Sequence, residues 1–300
     1  MAETTRTETF EDYRTYLFAI AYRMLGSAMD AEDMVQDTYL RFQATRADVR
    51  ESIVSLKAYL TTILTRLCVN QLQSARRKRE RYPGPWLPEP ISTDHLAVPA
   101  SSESANPEER MELYESLALA FLVLLEELGP IERAVFLLRD VFDYEYAEIA
   151  EILGKSEAAC RQAFSRAKRH LAEHRPRVTP APENQRELLT SFLHAVQGGD
   201  MVTLMAMLAE DATLTTDGGG KVRGAATRLL VGRAAVARMS VGTMRFLPEG
   251  YTSAVVEING QPALVIRAGG QSVSVVSVEL DGQRIRAVRV IANPDKLQRV

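Results

Sequence analysis

Two all-helical domains followed by an α+β domain are what the sequence predicts, and three observations carry that prediction. Apolar residues recur at helical spacing up to about residue 174. Two proline-rich breaks, at 82–107 and 175–183, divide the chain. Beyond the second break the pattern changes to Val-rich runs joined by Asn-Gly, Gly-Gly and Asp-Gly turns.

In the first segment, Phe10–Leu25 and Asp30–Phe42 read as helices divided by Gly26-Ser27, with Asp30 as the expected N-cap. Leu56, Leu60, Ile63, Leu64, Leu67 and Leu72 form one face of a third helix, Leu56–Leu72, and Arg46–Ser55 reads as a loop. Between the breaks, Glu112–Leu128 is helical and Gly129-Pro130 stops it. Ile131–Val141 and Glu145–Leu153 follow, then a tight turn, Gly154-Lys155-Ser156, and a helix Glu157–Leu171 capped by Ser156. In the last segment two helices, Asn184–Val196 and Met201–Leu208, and a short one, Ala234–Met239, accompany strands at Thr213–Thr216, Ser253–Asn259, Ala263–Arg267, Ser272–Leu280 and Arg284–Ile291. These strands are expected to form a curved antiparallel sheet packed on the helices.

The chain has 300 residues, 46% hydrophobic and 25% charged, with a net charge of −3, so it buries real cores and is no global polyanion coat. Its charge is segregated. Arg66–Arg81 holds six bases against one acid, and Arg161–Arg177 holds six against one, while Glu103–Glu151 carries 13 acids and 3 bases. Two basic clusters, each closing a helical segment, suggest two footprints on a polyanion. Cys68 and Cys160 are too few for a disulfide framework or a Cys-rich metal site. The longest apolar run, Leu117–Leu125, is about half a membrane span, and no signal peptide is evident, so a cytoplasmic location without a membrane partner is expected.

Segment Tyr144–Leu171 is the most informative. Cys160, Ala163, Phe164, Ala167 and Leu171 fall on one face of its second helix, and Arg161, Gln162, Ser165, Arg166 and Arg169 lie off it, as a recognition helix in a major groove requires. Gly154-Lys155-Ser156 is no phosphate-binding loop, because Ile149 holds the position where the first glycine is needed. His170 and His174 share a face but lack a third ligand. No catalytic residue, metal site or cofactor is expected.

These motifs resemble those of extracytoplasmic-function (ECF) sigma factors. DAEDMVQDTYLRF (30–42) resembles their helix that binds core polymerase. LKAYLTTILTRLCVNQLQSARRKRE (56–80) resembles the helix facing the promoter −10 element. EELGPIERAVFLLRDVFDYEYAEIAEILGKSEAACRQAFSRAKRHL (126–171) resembles sigma region 4. Three further strings, Trp86-Leu87-Pro88-Glu89-Pro90, Asp217-Gly218-Gly219-Gly220-Lys221 and Asn293-Pro294-Asp295-Lys296-Leu297, are similar to signatures of the ECF group with a fused SnoaL-like (nuclear transport factor 2-like) C-terminal domain.

The resemblance implies five parts: region 2, a helical bundle, at 1–81; a linker with WLPEP at 82–107; region 4, a helix-turn-helix, at 108–175; a second linker at 176–183; and a cone-shaped α+β domain at 184–300. It implies a sigma factor that directs core polymerase to promoters and is not an enzyme. Asp33, Gln36 and Asp37 would bind polymerase, whose clamp helices and flap are the expected contacts. Arg66, Asn70, Arg76, Arg77 and Lys78 would serve the −10 element, with 46–55 capturing an unstacked base. Arg161, Gln162, Ser165, Arg166 and Arg169 would read the −35 element. Both double-stranded and melted promoter DNA are implied partners. The C-terminal domain is expected to regulate in cis, docking on region 2 and on the Trp86 linker through its 217–221 loop and 293–297 tail. The cone fold leaves room for a small-molecule ligand. As an enzyme it would need an acid or base such as Asp211, Asp217, His194, Glu257 or Glu279. The rival reading is a one-component helix-turn-helix regulator with a ligand-sensing or enzymatic C-terminal domain.

Overall fold

The computed structural model describes residues 9–79, 82–93, 117–174 and 182–300. These residues fall into two compact units. The first is built from 9–77 and 125–173. The second takes 78–79, 82–93, 117–124, 174 and 182–300. The helical parts on either side of the first proline-rich break thus share one unit, and the described residues of the break itself, 82–93, belong with the C-terminal domain.

In the first unit, α1 (Phe10–Leu25) starts at Thr9, whose backbone N–H donates to Asp12 Oδ2 at 2.8 Å in a capping box. Helix α2 (Ala28–Gln43) is capped by Ser27, which accepts from the Asp30 N–H at 3.2 Å. The expected cap, Asp30, lies inside the helix, where its carboxylate faces the positive end of the dipole. The expected loop 46–55 contains a short helix, α3 (Ala47–Glu51), and α4 runs Leu56–Arg79, about two turns beyond its last apolar ridge residue. Helix α5 (Leu119–Glu126), whose residues up to 124 belong to the second unit, precedes α6 (Pro130–Phe136), which widens into a π turn at Leu137–Val141. Residues 112–116 of the expected helix lie outside the described residues. Helices α7 (Tyr146–Leu153) and α8 (Glu157–His174) form the helix-turn-helix, and Ser156 caps α8 by accepting from Ala159 N–H at 3.2 Å. Val135, Leu138, Ile149, Ile152, Cys160 and Ala163 make its core, with Tyr16 of α1 packed against it.

The second unit carries α9 (Pro182–Gly198), α10 (Met201–Met207), β1 (Leu208–Asp217), β2 (Leu230–Val231), α11 (Arg233–Thr243), β3 (Thr252–Ile258), β4 (Gln261–Ala268), β5 (Gln271–Asp281) and β6 (Arg284–Ile291). The sheet order is β2-β1-β6-β5-β4-β3. It is mixed rather than antiparallel throughout: β1 runs parallel to β6, because the chain returns to β1's edge only after crossing through α11 and the β3–β6 meander. The alternation along β4 assigns its two faces. Leu264 and Ile266 join the core with the helices, whereas Ala263 and Val265 join a second core with Ile258, Val275, Ile291, Leu297, Leu119 and the linker residue Leu87. A strand that reads as continuously apolar is therefore covered on both sides.

The linker clasp and the candidate nucleic-acid interface

Helix α8 presents the divided surface expected of it. Cys160, Ala163, Ala167 and Leu171 are buried, while Arg161, Gln162, Ser165, Arg166 and Arg169 are exposed on the opposite side. Arg161 pairs with Glu157 and lies 4.7 Å from the Tyr146 ring centroid. Arg166 Nε donates to Glu132 Oε1 at 2.7 Å. These are surface ion pairs of small energy, so they orient the guanidinium groups without committing them.

Arg66 stands differently. Its Nε donates to the Ile152 carbonyl at 2.8 Å and its Nη2 to the Glu151 carbonyl at 3.0 Å. Those carbonyls lie in the last turn of α7, where the Glu151 carbonyl also accepts from the Gly154 N–H at 3.4 Å. Arg133 does the same for α1: its Nη1 donates to the Met24 carbonyl at 2.7 Å and to Glu126 at 2.8 Å. Tyr16 donates to Tyr144 at 2.9 Å, and Tyr144 to Thr61 at 3.1 Å. Region 2 and the helix-turn-helix are thus joined by hydrogen bonds within the first unit. Burial lowers the pKa of Arg133 to about 9, and that of Arg23, fully buried on α1, to about 9 as well. Burial first, and then Tyr144, push the Tyr16 hydroxyl upward.

Asn70 is exposed on α4. Arg76, Arg77 and Lys78 continue that helix, and their side chains lie outside the described residues. On α2, Asp33, Gln36 and Asp37 are exposed on one face, opposite the buried Ala31, Val35 and Thr38. Met29 and Leu40, 58% and 55% exposed, extend the same stripe at helical spacing. Sequence reasoning passed over both, although an apolar residue on an otherwise polar helix face was the available signal. In the 46–55 segment, Arg50 binds the carbonyls of Gln43 and Thr45, and Val54 is fully exposed. A cavity of about 380 Å³ lies between this segment and Tyr144, Glu148, Glu151 and Ile152.

In the second unit the three signature strings meet. Asp217, fully buried, accepts from Tyr82 Oη at 2.6 Å, from the Leu87 N–H at 2.8 Å, from the Gly219 N–H at 3.2 Å and from Lys296 Nζ at 2.7 Å. Lys296 also donates to the Leu87 carbonyl, and its ammonium stands 3.9 Å from the Trp86 ring centroid and 5.3 Å from that of Tyr82. Asn293 donates to Tyr82 Oη at 2.8 Å and caps the short turn Pro294–Lys296. Lys221 pairs with Asp295. The glycines are there for closeness: a Cβ on Gly219 would stand 2.5 Å from Asn293 Nδ2, and one on Gly220 2.7 Å from Pro83 Cγ, and both have positive φ. Burial and the Asp217 hydrogen bond push the Tyr82 hydroxyl's pKa up.

A second attachment holds the far end of the same strand. Asn259 accepts from the Ile91 N–H at 3.0 Å and donates its own N–H to the Ile91 carbonyl at 2.9 Å. Sequence reasoning took Asn259-Gly260 for a hairpin turn only and did not mark Tyr82. Trp86 is half-buried, and Leu87, Pro88, Glu89 and Pro90 are buried, so WLPEP is a strap on the domain.

The acid and base candidates scatter. Asp211 and His194 are exposed, Glu257 pairs with Arg186 at 3.8 Å, Glu279 pairs with Arg289, and Asp217 belongs to the clasp. His170 bonds Glu127 at 3.0 Å. Among the described residues no group of three or more His, Cys, Asp or Glu side chains is placed to hold a metal, and no helix is long and apolar enough to cross a membrane.

Family models for Sigma-70 region 2 and Sigma-70 region 4 match residues 9–78 and 118–171. The chain is 33% identical to the ECF RNA polymerase sigma factor SigJ of Mycobacterium tuberculosis, covering 96% of this chain and 91% of that protein. It is 30% identical to the same organism's probable ECF sigma factor SigI, covering 95% and 92%. The crystal structure of M. tuberculosis SigJ superposes with a TM-score of 0.70 at 32% identity, over 96% of each chain. With both helical regions matched in order and a likeness that runs through the C-terminal domain, this chain belongs to the extracytoplasmic-function RNA polymerase sigma factors.

Proposed function

We propose that this sigma factor directs core polymerase to promoters under restraint from its own C-terminal domain, which holds the strand leading out of region 2. The observation that carries this reading is the Asp217–Lys296 node. Two charges from distant parts of the domain converge out of water on the backbone of Leu87. Residues 82–93 connect the α4 segment toward the helix-turn-helix, so a bound strap shortens the free chain between the two DNA-reading parts. Released, those 12 positions can span roughly 3.3 Å each.

In this reading the exposed face of α8 (Arg161, Gln162, Ser165, Arg166, Arg169) reads the −35 element. Asn70 with the basic end of α4 serves the −10 element, joined by Arg66 once it leaves the α7 carbonyls. Asp33, Gln36 and Asp37, flanked by Met29 and Leu40, meet polymerase. Two faces of modest charge act additively when one large partner sets their spacing. The protein works by binding free energy in the cytoplasm and carries out no reaction of its own; the scatter of its acid and base candidates supports this.

Run-off transcription with core polymerase tests the restraint. Lys296→Met removes the ammonium and keeps its apolar length. Transcription from the cognate promoter is expected to rise above that of the parent. Unchanged or reduced transcription would contradict restraint by the clasp.

A further inference from the structure

The C-terminal domain encloses a cavity of about 360 Å³ between α9, α11 and the concave side of the sheet. Its wall is mainly apolar, with Phe192, Leu214, Met239, Ile266 and Val276 among the lining residues. The buried residues Thr216, Ser240 and Ser274 also line it, as do Thr243, Gln271 and Ser272. Among the lining residues the one ionisable side chain is Arg223, which is exposed. Space of this size with mainly apolar walls and a few polar groups is what a small-molecule site needs. An ionised ligand would lose its hydration there without gaining a counter-charge in the depth of the cavity.

We propose that this cavity binds an uncharged, apolar small molecule, and that its occupancy tightens the linker clasp. The coupling follows from chain continuity. Thr216 precedes Asp217, Ala292 and Pro294 flank Asn293, and Leu297 follows Lys296; all four of these neighbours line the cavity. The Ala292 N–H also donates to the Asp217 carbonyl at 2.8 Å. Leu297 both lines the cavity and belongs to the cluster that seats Leu87. A molecule in the cavity would add dispersion contacts to Leu297 and Pro294. A ligand that fills it binds the seated turn better than the displaced one and shifts the population toward the clasp. The coupling rests on the proposed restraint of the linker; the binding site does not.

The test uses the full chain and N-phenyl-1-naphthylamine, an uncharged apolar fluorophore, with amide hydrogen exchange at Leu87 and Ile91 as the clasp readout. Saturable one-to-one binding is expected, weakened at least ten-fold by the filling substitution Val276→Phe. Exchange at both amides should slow several-fold at saturation in the parent. Ser274→Leu fills the same space from the neighbouring inward position of β5 and must weaken binding if Val276→Phe fails to fold. Binding undiminished in the filling variants overturns the site. Bound probe with unchanged exchange at Leu87 overturns the coupling. Should Lys296→Met leave transcription unaltered without any probe, the restraint fails by itself, while probe binding still decides the site.

Discussion

Lys296 Nζ lies 2.7 Å from a carboxylate oxygen of Asp217, the ammonium side chain nearly and the carboxylate fully withdrawn from water. Neither charge is there cheaply. Each is tolerated because the other, the Leu87 peptide and the Tyr82 hydroxyl complete its hydrogen bonding.

Removing one partner leaves the other buried and uncompensated. Asp217→Asn or Lys296→Met is expected to destabilise the second unit by about 3–5 kcal/mol, whereas the double variant should lose less than the sum. Chemical denaturation followed through Trp86, the single tryptophan, measures both. Additive losses would mean that the pair is not coupled.

Two glycines separate crowding from backbone strain. Gly219→Ala must displace Asn293 as well as adopt positive φ, whereas Gly269, also at positive φ, has nothing within 4 Å of an added Cβ. Gly269→Ala should cost about 1–2 kcal/mol from conformation alone. Gly219→Ala should cost clearly more and expose 82–93 to limited proteolysis. Equal costs and equal proteolysis would show that the glycine loop does not approach the tail closely in solution.

Arg66 links α4 to the end of α7 in the free protein. Arg66→Lys puts a single nitrogen where Nε and Nη2 separately meet the Ile152 and Glu151 carbonyls, and it loses the planar fork that holds both. Faster amide exchange in α7 is expected, with the fold retained. Unchanged exchange would place the guanidinium elsewhere in solution.

The hydroxyl chain of Tyr16, Tyr144 and Thr61 gives an alkaline signature. Tyr16 has a folded pKa above its ordinary value, so the unfolded chain loses that proton first. Its contribution is complete below about pH 10 and declines as pH rises beyond it. Arg23 and Arg133, depressed to about 9, act with the opposite sign between there and the ordinary arginine range. The comparison with Tyr16→Phe removes them. The variant should be less stable by about 1 kcal/mol at neutral pH. Its stability should then fall less steeply above pH 10, by up to about 1.4 kcal/mol per pH unit. Parallel curves would mean that Tyr16 is not buried as described.

Most helices were legible in the sequence because their apolar faces recur at helical spacing and short polar residues or glycines mark their ends. The α8 face was legible for the same reason, since Cys160, Ala163, Ala167 and Leu171 leave Arg161, Gln162, Ser165, Arg166 and Arg169 outside. The Ser27 cap was missed because Asp30 fits the same rule a turn later. The parallel β1–β6 pairing was missed because local turns specify neighbours in sequence and not a strand that joins from afar. That three remote strings mattered was visible through the family resemblance. The chemistry joining them was not, since nothing in DGGGK or NPDKL alone shows that one carboxylate and one ammonium close on the same linker peptide. Arg66 looked like a phosphate contact from charge alone. Its bonds to the α7 carbonyls depend on a helix end 85 and 86 positions away.

The most direct measurement is start-site mapping by run-off transcription with core polymerase, comparing the full chain with its Arg161→Glu, Arg166→Glu variant. The parent should select one start site from a two-element promoter, and the reversed charges on α8 should abolish that choice while the protein still binds core. Failure of core polymerase to respond to the parent, or the same start site from the variant, would contradict the account.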